Sequence, residues 1–247
     1  MSDALVRLER AGAIATLTLN RPEKRNALNL ALWAQLDDCL ASIEAAGEEL
    51  GVVILRAAGA VFCAGNDLKE RGIRPPRPNY QAGIVTRLAQ LPQPVVVAVQ
   101  GGCFTGGLEL ALAGDIIIAA QGASFADTHG KFALVPAWGM SQRLPRRVGQ
   151  WKAREMSFTG LPVSGAEAAQ IGLANHCVPD GELDAKVAEI AAAIAAQSRH
   201  SVLAYKRLYS EQADLPLQAG LAHEVFASAG VGPDFTARVA AQFGGQG

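Results

Sequence analysis

Val6 to Leu8 alternates apolar with polar residues, and Ala13 to Leu19 alternates or runs apolar. With Gly12 between them, the two segments predict a hairpin. Asn20-Arg21-Pro22 ends the second strand. From Asn29 to Ala46 the apolar residues Leu30, Trp33, Leu36, Leu40 and Ile43 recur at helical spacing and predict a helix. Gly51 introduces a buried strand, Val52-Val53-Ile54-Leu55, and a loop with two glycines follows from Ala57 to Lys69. Arg71 to Pro78 holds three prolines and three arginines and reads as an exposed loop. Tyr80 to Leu91 has a helical pattern, and Pro94 then opens a strand from Val95 to Gln100. Gly101 to Thr105 turns into a short helix, Gly107 to Ala113, and Ile116 to Ala120 is again a strand.

This alternation of strands and helices, in units of uneven length, predicts an α/β fold with no fixed sequence repeat. Beyond about Gly149 the texture becomes helical and rich in Ala. Helices are expected over Asp184 to Gln197, Ser201 to Ser210 and Leu215 to Ser228, with a last one ending near Phe243 after the break at Gly230 to Asp234. The chain thus divides into a core, residues 1–190, and a helical region, residues 191–247. A helical tail with apolar faces and no sheet to cover packs on a neighbouring subunit. The alternative is an ordinary helical layer over its own core.

Of the 247 residues half are hydrophobic, which fills a sizeable core and excludes intrinsic disorder. The 22 Lys+Arg against 23 Asp+Glu leave a net charge of −1. That balance excludes a broad electrostatic grip on nucleic acid or anionic lipid, but leaves room for a local basic patch. No apolar run reaches the roughly 18 to 20 residues that span a bilayer. Met1-Ser2-Asp3-Ala4-Leu5 does not read as a charged start followed by an apolar signal core. The four cysteines, Cys39, Cys63, Cys103 and Cys177, are widely spaced and form no C-x-x-C pair, as expected of reduced thiols. A soluble, cytoplasmic protein without a metal is expected.

Gly101-Gly102-Cys103-Phe104-Thr105-Gly106-Gly107 does not spell G-x-G-x-x-G, and the chain holds neither a P-loop nor a G-x-S-x-G elbow. His129, His176, His200 and His223 lack metal-ligand spacing. What remains is two glycine-bearing loops that each follow a buried strand, Phe62 to Glu70 and Gly101 to Leu110. Backbone N–H groups at such loop-to-helix junctions point outward and favour negative charge, so a pair of them could receive a developing oxyanion. The alternative is plain turn geometry. Glu109 sharpens the first reading, because it stands three residues after Gly106 among Leu108, Leu110, Ala111 and Leu112. Burial there raises its pKa toward that of a general base while the helix start lowers it. A capping glutamate in a first helical turn is the other reading.

Asn20 to Leu28, Phe62 to Glu70, Gly106-Gly107-Leu108-Glu109-Leu110-Ala111, Pro136 to Leu144, Thr159-Gly160 and Gly172-Leu173-Ala174 together resemble the crotonase (enoyl-CoA hydratase/isomerase) superfamily, in the right order over about residues 5–210. The resemblance implies a crotonase-like spiral of ββα units, a helical C-terminal trimerisation region giving a homotrimer or a dimer of trimers, and acyl-CoA thioesters as substrates. Coenzyme A arrives with the substrate, so no separate cofactor is implied. By position the thioester oxygen falls between the N–H groups of Asn66 and Gly106. Ala64, Asn66, Asp67, Leu68 and Lys69 line the coenzyme A groove, with Lys24 and Arg25 as phosphate contacts or as plain surface charge.

Family hydratases hold water between two glutamates. Glu109 matches the first, and His129 stands where the second is usual. The implied activity is an enoyl-CoA hydratase with Glu109 as base and His129 as acid or water-orienter. The alternatives are a thioester or β-diketone hydrolase using His129, an isomerase using one base, and a non-catalytic acyl-CoA binder. Asp127 could supply a carboxylate after a small loop shift, and His129 could simply donate to a backbone carbonyl. Phe132 and Trp138 are candidates for acyl-pocket walls, or core. Asp234 to Phe243 lacks the Lys-Arg pair with which family members often end.

Overall fold

The structure, a computed structural model, describes residues 4–70 and 73–243. The expected loop of 71–78 therefore loses its first two positions, and Met1 to Asp3 lie outside the described residues. Strands β1 (Val6–Ala11) and β2 (Ile14–Leu19) form the expected antiparallel hairpin, with Val6 opposite Leu19. Helix α1 (Leu30–Ala46) follows, then β3 (Val52–Ala57), α2 (Tyr80–Gln90), β4 (Val95–Val99), β5 (Gly102–Phe104) and α3 (Gly106–Ala111). The chain continues through β6 (Ile116–Ala120), β7 (Ser124–Ala126), α4 (Met140–Val148), α5 (Gln150–Thr159), β8 (Val163–Ser164), α6 (Gly165–Gln170) and β9 (His176–Val178). It ends in α7 (Leu183–Ala196), α8 (Arg199–Gln212), α9 (Leu217–Phe226) and α10 (Phe235–Phe243).

The long sheet has the order β1-β2-β3-β4-β6-β9, parallel from β2 onward, and a second sheet has the order β5-β7-β8. The turns β4–β5–α3 and β6–β7–α4 each add one strand to the long sheet and one to the short sheet before a helix closes the turn; β8 then joins the short sheet and, after α6, β9 the long one. This is the spiral of ββα units. Both faces of the long sheet are covered, which is why β3 and β4 read as continuous apolar runs rather than alternating ones. Val53, Leu55, Val95, Val97 and Ile117 point to the main core with α1, α2 and α3. Val52, Ile54, Val96, Ala98 and Ile118 point the other way, against Leu183, Val187 and Ala191 of α7. The expected division at 190/191 thus falls inside α7, a helix that closes the back of the sheet.

Two local readings change. The helix α1 buries Leu32 rather than Leu30; Leu30 opens the helix, where its N–H is taken by Glu70. Gly101 to Thr105, expected as a turn, contains β5, a strand too short to show a period of its own. In the tail, α7 and Lys206 of α8 pack on the core, so that part is an ordinary layer. Helices α9 and α10 have no buried residue among those described, and Leu217, Val225, Phe226 and Phe243 stand exposed. No helix among the described residues is long and apolar enough to cross a membrane.

Candidate active site

The short sheet places the chemistry. Strands β5 and β7 run parallel with Phe104 opposite Ala126, so the chain leaves both at the same edge. One exit leads through Thr105 into α3 and Glu109, and the other through Asp127 and Thr128 to His129. The exits are tied together: Thr105 N–H donates to Ala126 O at 2.9 Å, and the Thr105 and Thr128 hydroxyls share a hydrogen bond. Thr105 takes a φ of 51°, a left-handed conformation that a β-branched residue rarely adopts and that turns α3 into the site.

Glu109 is buried, with 1 % of its surface exposed. Its Oε1 accepts N–H bonds from Trp138 at 2.8 Å and Met140 at 3.1 Å. Met140 opens α4, so the carboxylate caps the start of that helix rather than its own. Burial is the largest influence on its pKa and raises it; the Met140 and Trp138 N–H groups and His129 oppose the rise, and Asp127 adds to it. The net direction is upward, toward a general base. Oε2 takes no part in those bonds and lies 3.6 Å from His129 Nε2.

The other His129 nitrogen, Nδ1, is 2.6 Å from Asp127 Oδ1, and the same oxygen accepts the His129 backbone N–H at 3.2 Å. His129 therefore serves a carboxylate, not a backbone carbonyl. Asp127 reaches no position beside Glu109; it sits on the far side of the imidazole. Burial raises the Asp127 carboxyl, but hydrogen bonds from His129 and Ser157 outweigh it and hold the group below the ordinary range. A cavity of about 430 Å³ opens beside the ring, walled in part by Asp127, His129, Leu134, Leu144 and Ser157.

The two glycine loops meet where the oxyanion position is expected. Leu28 N–H donates to Gly65 O and Asp67 N–H to Leu28 O, which leaves the Asn66 N–H between them unused. Gly106 opens α3, where an N–H has no intrahelical acceptor. Among the described residues neither N–H donates to another protein group. Gly65 sits so close to the second loop that a Cβ on it would lie 3.0 Å from Phe104 O and 3.5 Å from Gly106 N. At Gly107 a Cβ would come within 2.6 Å of Cys63 O, so both positions require glycine.

Of the expected coenzyme A contacts, Lys24, Arg25, Asn66, Leu68 and Lys69 are exposed. A bond from Ala64 N–H to Arg25 O lays their two segments side by side. Asp67 also carries a structural task. Its carboxylate accepts from Arg21 at 2.6 Å and from Lys69 N–H at 3.1 Å, which locks the loop. Glu70 caps α1, and Asn26, fully buried, bonds Arg21 N–H, Ala58 O and Val61 O. The supporting roles of Arg21, Asn26 and Glu70 escaped the sequence reading. No spacing in the sequence signals them, because Asn26, Arg21 and Glu70 find their partners only in the folded chain. Phe132 is half exposed and Trp138 half buried, and neither lines the cavity beside His129. Trp138 instead packs edge-on against Trp33, with ring centroids 5.1 Å apart, and lies over Gly106.

The fold has close counterparts. A crystal structure of an enoyl-CoA hydratase from Bacillus anthracis superposes with a TM-score of 0.90 at 35 % identity, covering 96 % of each chain. A structure from Thermobifida fusca YX in complex with CoA superposes at 0.82 with 28 % identity, covering 97 % of this chain and 94 % of that one. A short-chain-enoyl-CoA hydratase from Clostridium acetobutylicum is 33 % identical over 222 residues, 88 % of this chain and 85 % of that protein. The sequence profile described as Enoyl-CoA hydratase/isomerase matches residues 9–229. With residues 9–229 matched and the fold shared over nearly the whole chain, this protein belongs to the enoyl-CoA hydratase/isomerase family, the crotonase superfamily.

Proposed function

We propose that the protein is an enoyl-CoA hydratase that adds water across the double bond of a 2-enoyl-CoA. The observation that carries this reading is the 3.6 Å separation between Glu109 Oε2 and His129 Nε2, buried beside two unused backbone N–H groups. A water molecule can bond both atoms at once across that gap. Its oxygen bonds to the β-carbon, and the proton it sheds resides on the Glu109–His129 pair. The electron pair of the double bond moves toward the thioester oxygen, where the Asn66 and Gly106 N–H groups meet the developing charge. One such donor supplies about 2.7–4 kcal/mol. The pair then returns its proton to the α-carbon, leaving the site as it began.

The substrate brings coenzyme A with it, and the reaction so drawn calls for no further cofactor. Lys24, Arg25 and Lys69, exposed around the loops, suit its phosphates. A homotrimer or dimer of trimers in the cytoplasm, working in fatty-acid metabolism, completes the proposal. The exposed apolar side chains of α9 and α10 support the assembly.

The test is turnover of crotonyl-CoA and of a longer enoyl-CoA, following the conjugated thioester absorbance and free thiol together. Loss of absorbance without thiol is the expected result. Thiol release would replace hydration with hydrolysis by His129. Silence in both, with coenzyme A bound, would leave a binding protein.

A further inference from the structure

We propose that Asp127 is a positioning residue for His129, holding the neutral imidazole in its Nδ1–H tautomer so that the Nε2 lone pair faces Glu109. A neutral imidazole carries its one hydrogen on either nitrogen, and the partner of one nitrogen decides the role of the other. An ionised carboxylate only accepts hydrogen bonds. With Asp127 Oδ1 2.6 Å from Nδ1, the hydrogen belongs on Nδ1; the other tautomer would set two lone pairs against each other at that distance. The same oxygen takes the His129 backbone N–H, so ring and main chain are pinned at one point. The two side chains are only 10 % and 4 % exposed, so the contact is largely shielded from bulk water.

The far nitrogen is then an acceptor. Glu109 Oε1 is occupied by two N–H groups, so Oε2 is the oxygen that faces Nε2. Two acceptors 3.6 Å apart demand a donor between them, and a water with two O–H bonds satisfies both. This use of the lone pair rests on the hydration reading above; the tautomer itself does not.

The experiment is nitrogen-15 NMR of the histidine rings in the full-length protein without substrate, at mildly alkaline pH. His129 is identified against His176, His200 and His223 by the signal missing from His129→Gln. The expected result is Nδ1–H at His129 in the parent protein, with the Nε2–H form appearing in Asp127→Asn, whose amide can donate as well as accept. An Nε2–H tautomer or an imidazolium in the parent overturns the proposal, whatever reaction the protein catalyses.

The kinetic arm uses Asp127→Ala. Turnover should fall roughly 10- to 100-fold, the usual effect of losing a partner that orients a functional imidazole, with KM held within about threefold. Formate should restore part of it, because the cavity of about 430 Å³ already reaches the Asp127 site. A loss confined to KM, or unchanged turnover, refutes the positioning role. Should Asp127→Ala not fold, Asp127→Asn carries both measurements.

Discussion

Replacing Glu109 with Gln separates catalysis from stability more cleanly than any other change in this protein. The amide keeps an oxygen for the N–H groups of Trp138 and Met140, so the cap on α4 survives. What goes is the carboxylate oxygen 3.6 Å from His129, the proposed proton acceptor. General-base help of this kind is worth about 10²- to 10⁴-fold, and hydration should fall by that factor. Stability should move the other way. Burial raises the folded-state carboxyl above its unfolded value. Its contribution to stability is therefore complete below the unfolded value and is lost as pH rises through the folded one. At higher pH the ionised group is a burden that the amide removes. Each pKa unit of displacement is about 1.4 kcal/mol. One kcal/mol moves the Tm of a chain this long by roughly 2–4 °C. Glu109→Gln should accordingly melt a few degrees higher than the parent at mildly alkaline pH and no higher in acid. Thermal melts across pH, beside crotonyl-CoA hydration, are the assay. Hydration within tenfold of the parent would refute the base. A melting point several degrees lower would refute the burial argument and reduce the residue to a cap.

Arg21→Met should cost about 1–3 kcal/mol near neutral pH and raise the KM for an acyl-CoA, read by melts and initial rates, because it frees the loop carrying Asn66. Arg21 is the main cause that keeps the Asp67 carboxyl below its ordinary range. That stabilisation is present above the unfolded pKa and is lost as pH falls through the folded one, so parent and variant should converge in strong acid. Gly107→Ala drives a Cβ to 2.6 Å from the Cys63 carbonyl, backbone that cannot rotate away. It should cost about 1–3 kcal/mol and most of the turnover, measured by melts and by assay at saturating substrate. Burial pushes the Cys63 thiol up to about 12, and Cys103 is likewise buried and raised. Mass spectrometry after brief iodoacetamide treatment should find Cys39 and Cys177, both half-buried, alkylated before either.

What could be read from the chain followed from length and period. The hairpin of β1 and β2, the helix α1 and the buried runs of β3 and β4 each span enough residues for a pattern to show. The three-residue strands β5 and β7 have no period to detect, because pairing with each other creates them. Yet those strands bring Glu109 and His129 together. The two residues could be matched to a family from their motifs, while their meeting could not be derived. The Asp127–His129 contact was hidden for a related reason: residues two apart share a face only while the chain stays in a strand, and these two lie in the turn past the end of β7. Asp67 lies within a matched motif, and its pairing with Arg21, 46 residues away in the chain, is a contact that the motif does not announce.

Trp138 limits how this enzyme could be redesigned. Its backbone N–H is held by Glu109, its ring covers Gly106, and its edge leans on Trp33 of α1. One residue thus touches the proposed base, the proposed oxyanion donor and the core at once. Specificity and turnover are not separable variables here. A smaller side chain at that position would uncover Gly106, the proposed donor, as it widened the space beside it. Gains in substrate range at 138 would therefore come with slower chemistry, and broader acceptance would have to be sought at positions clear of both loops.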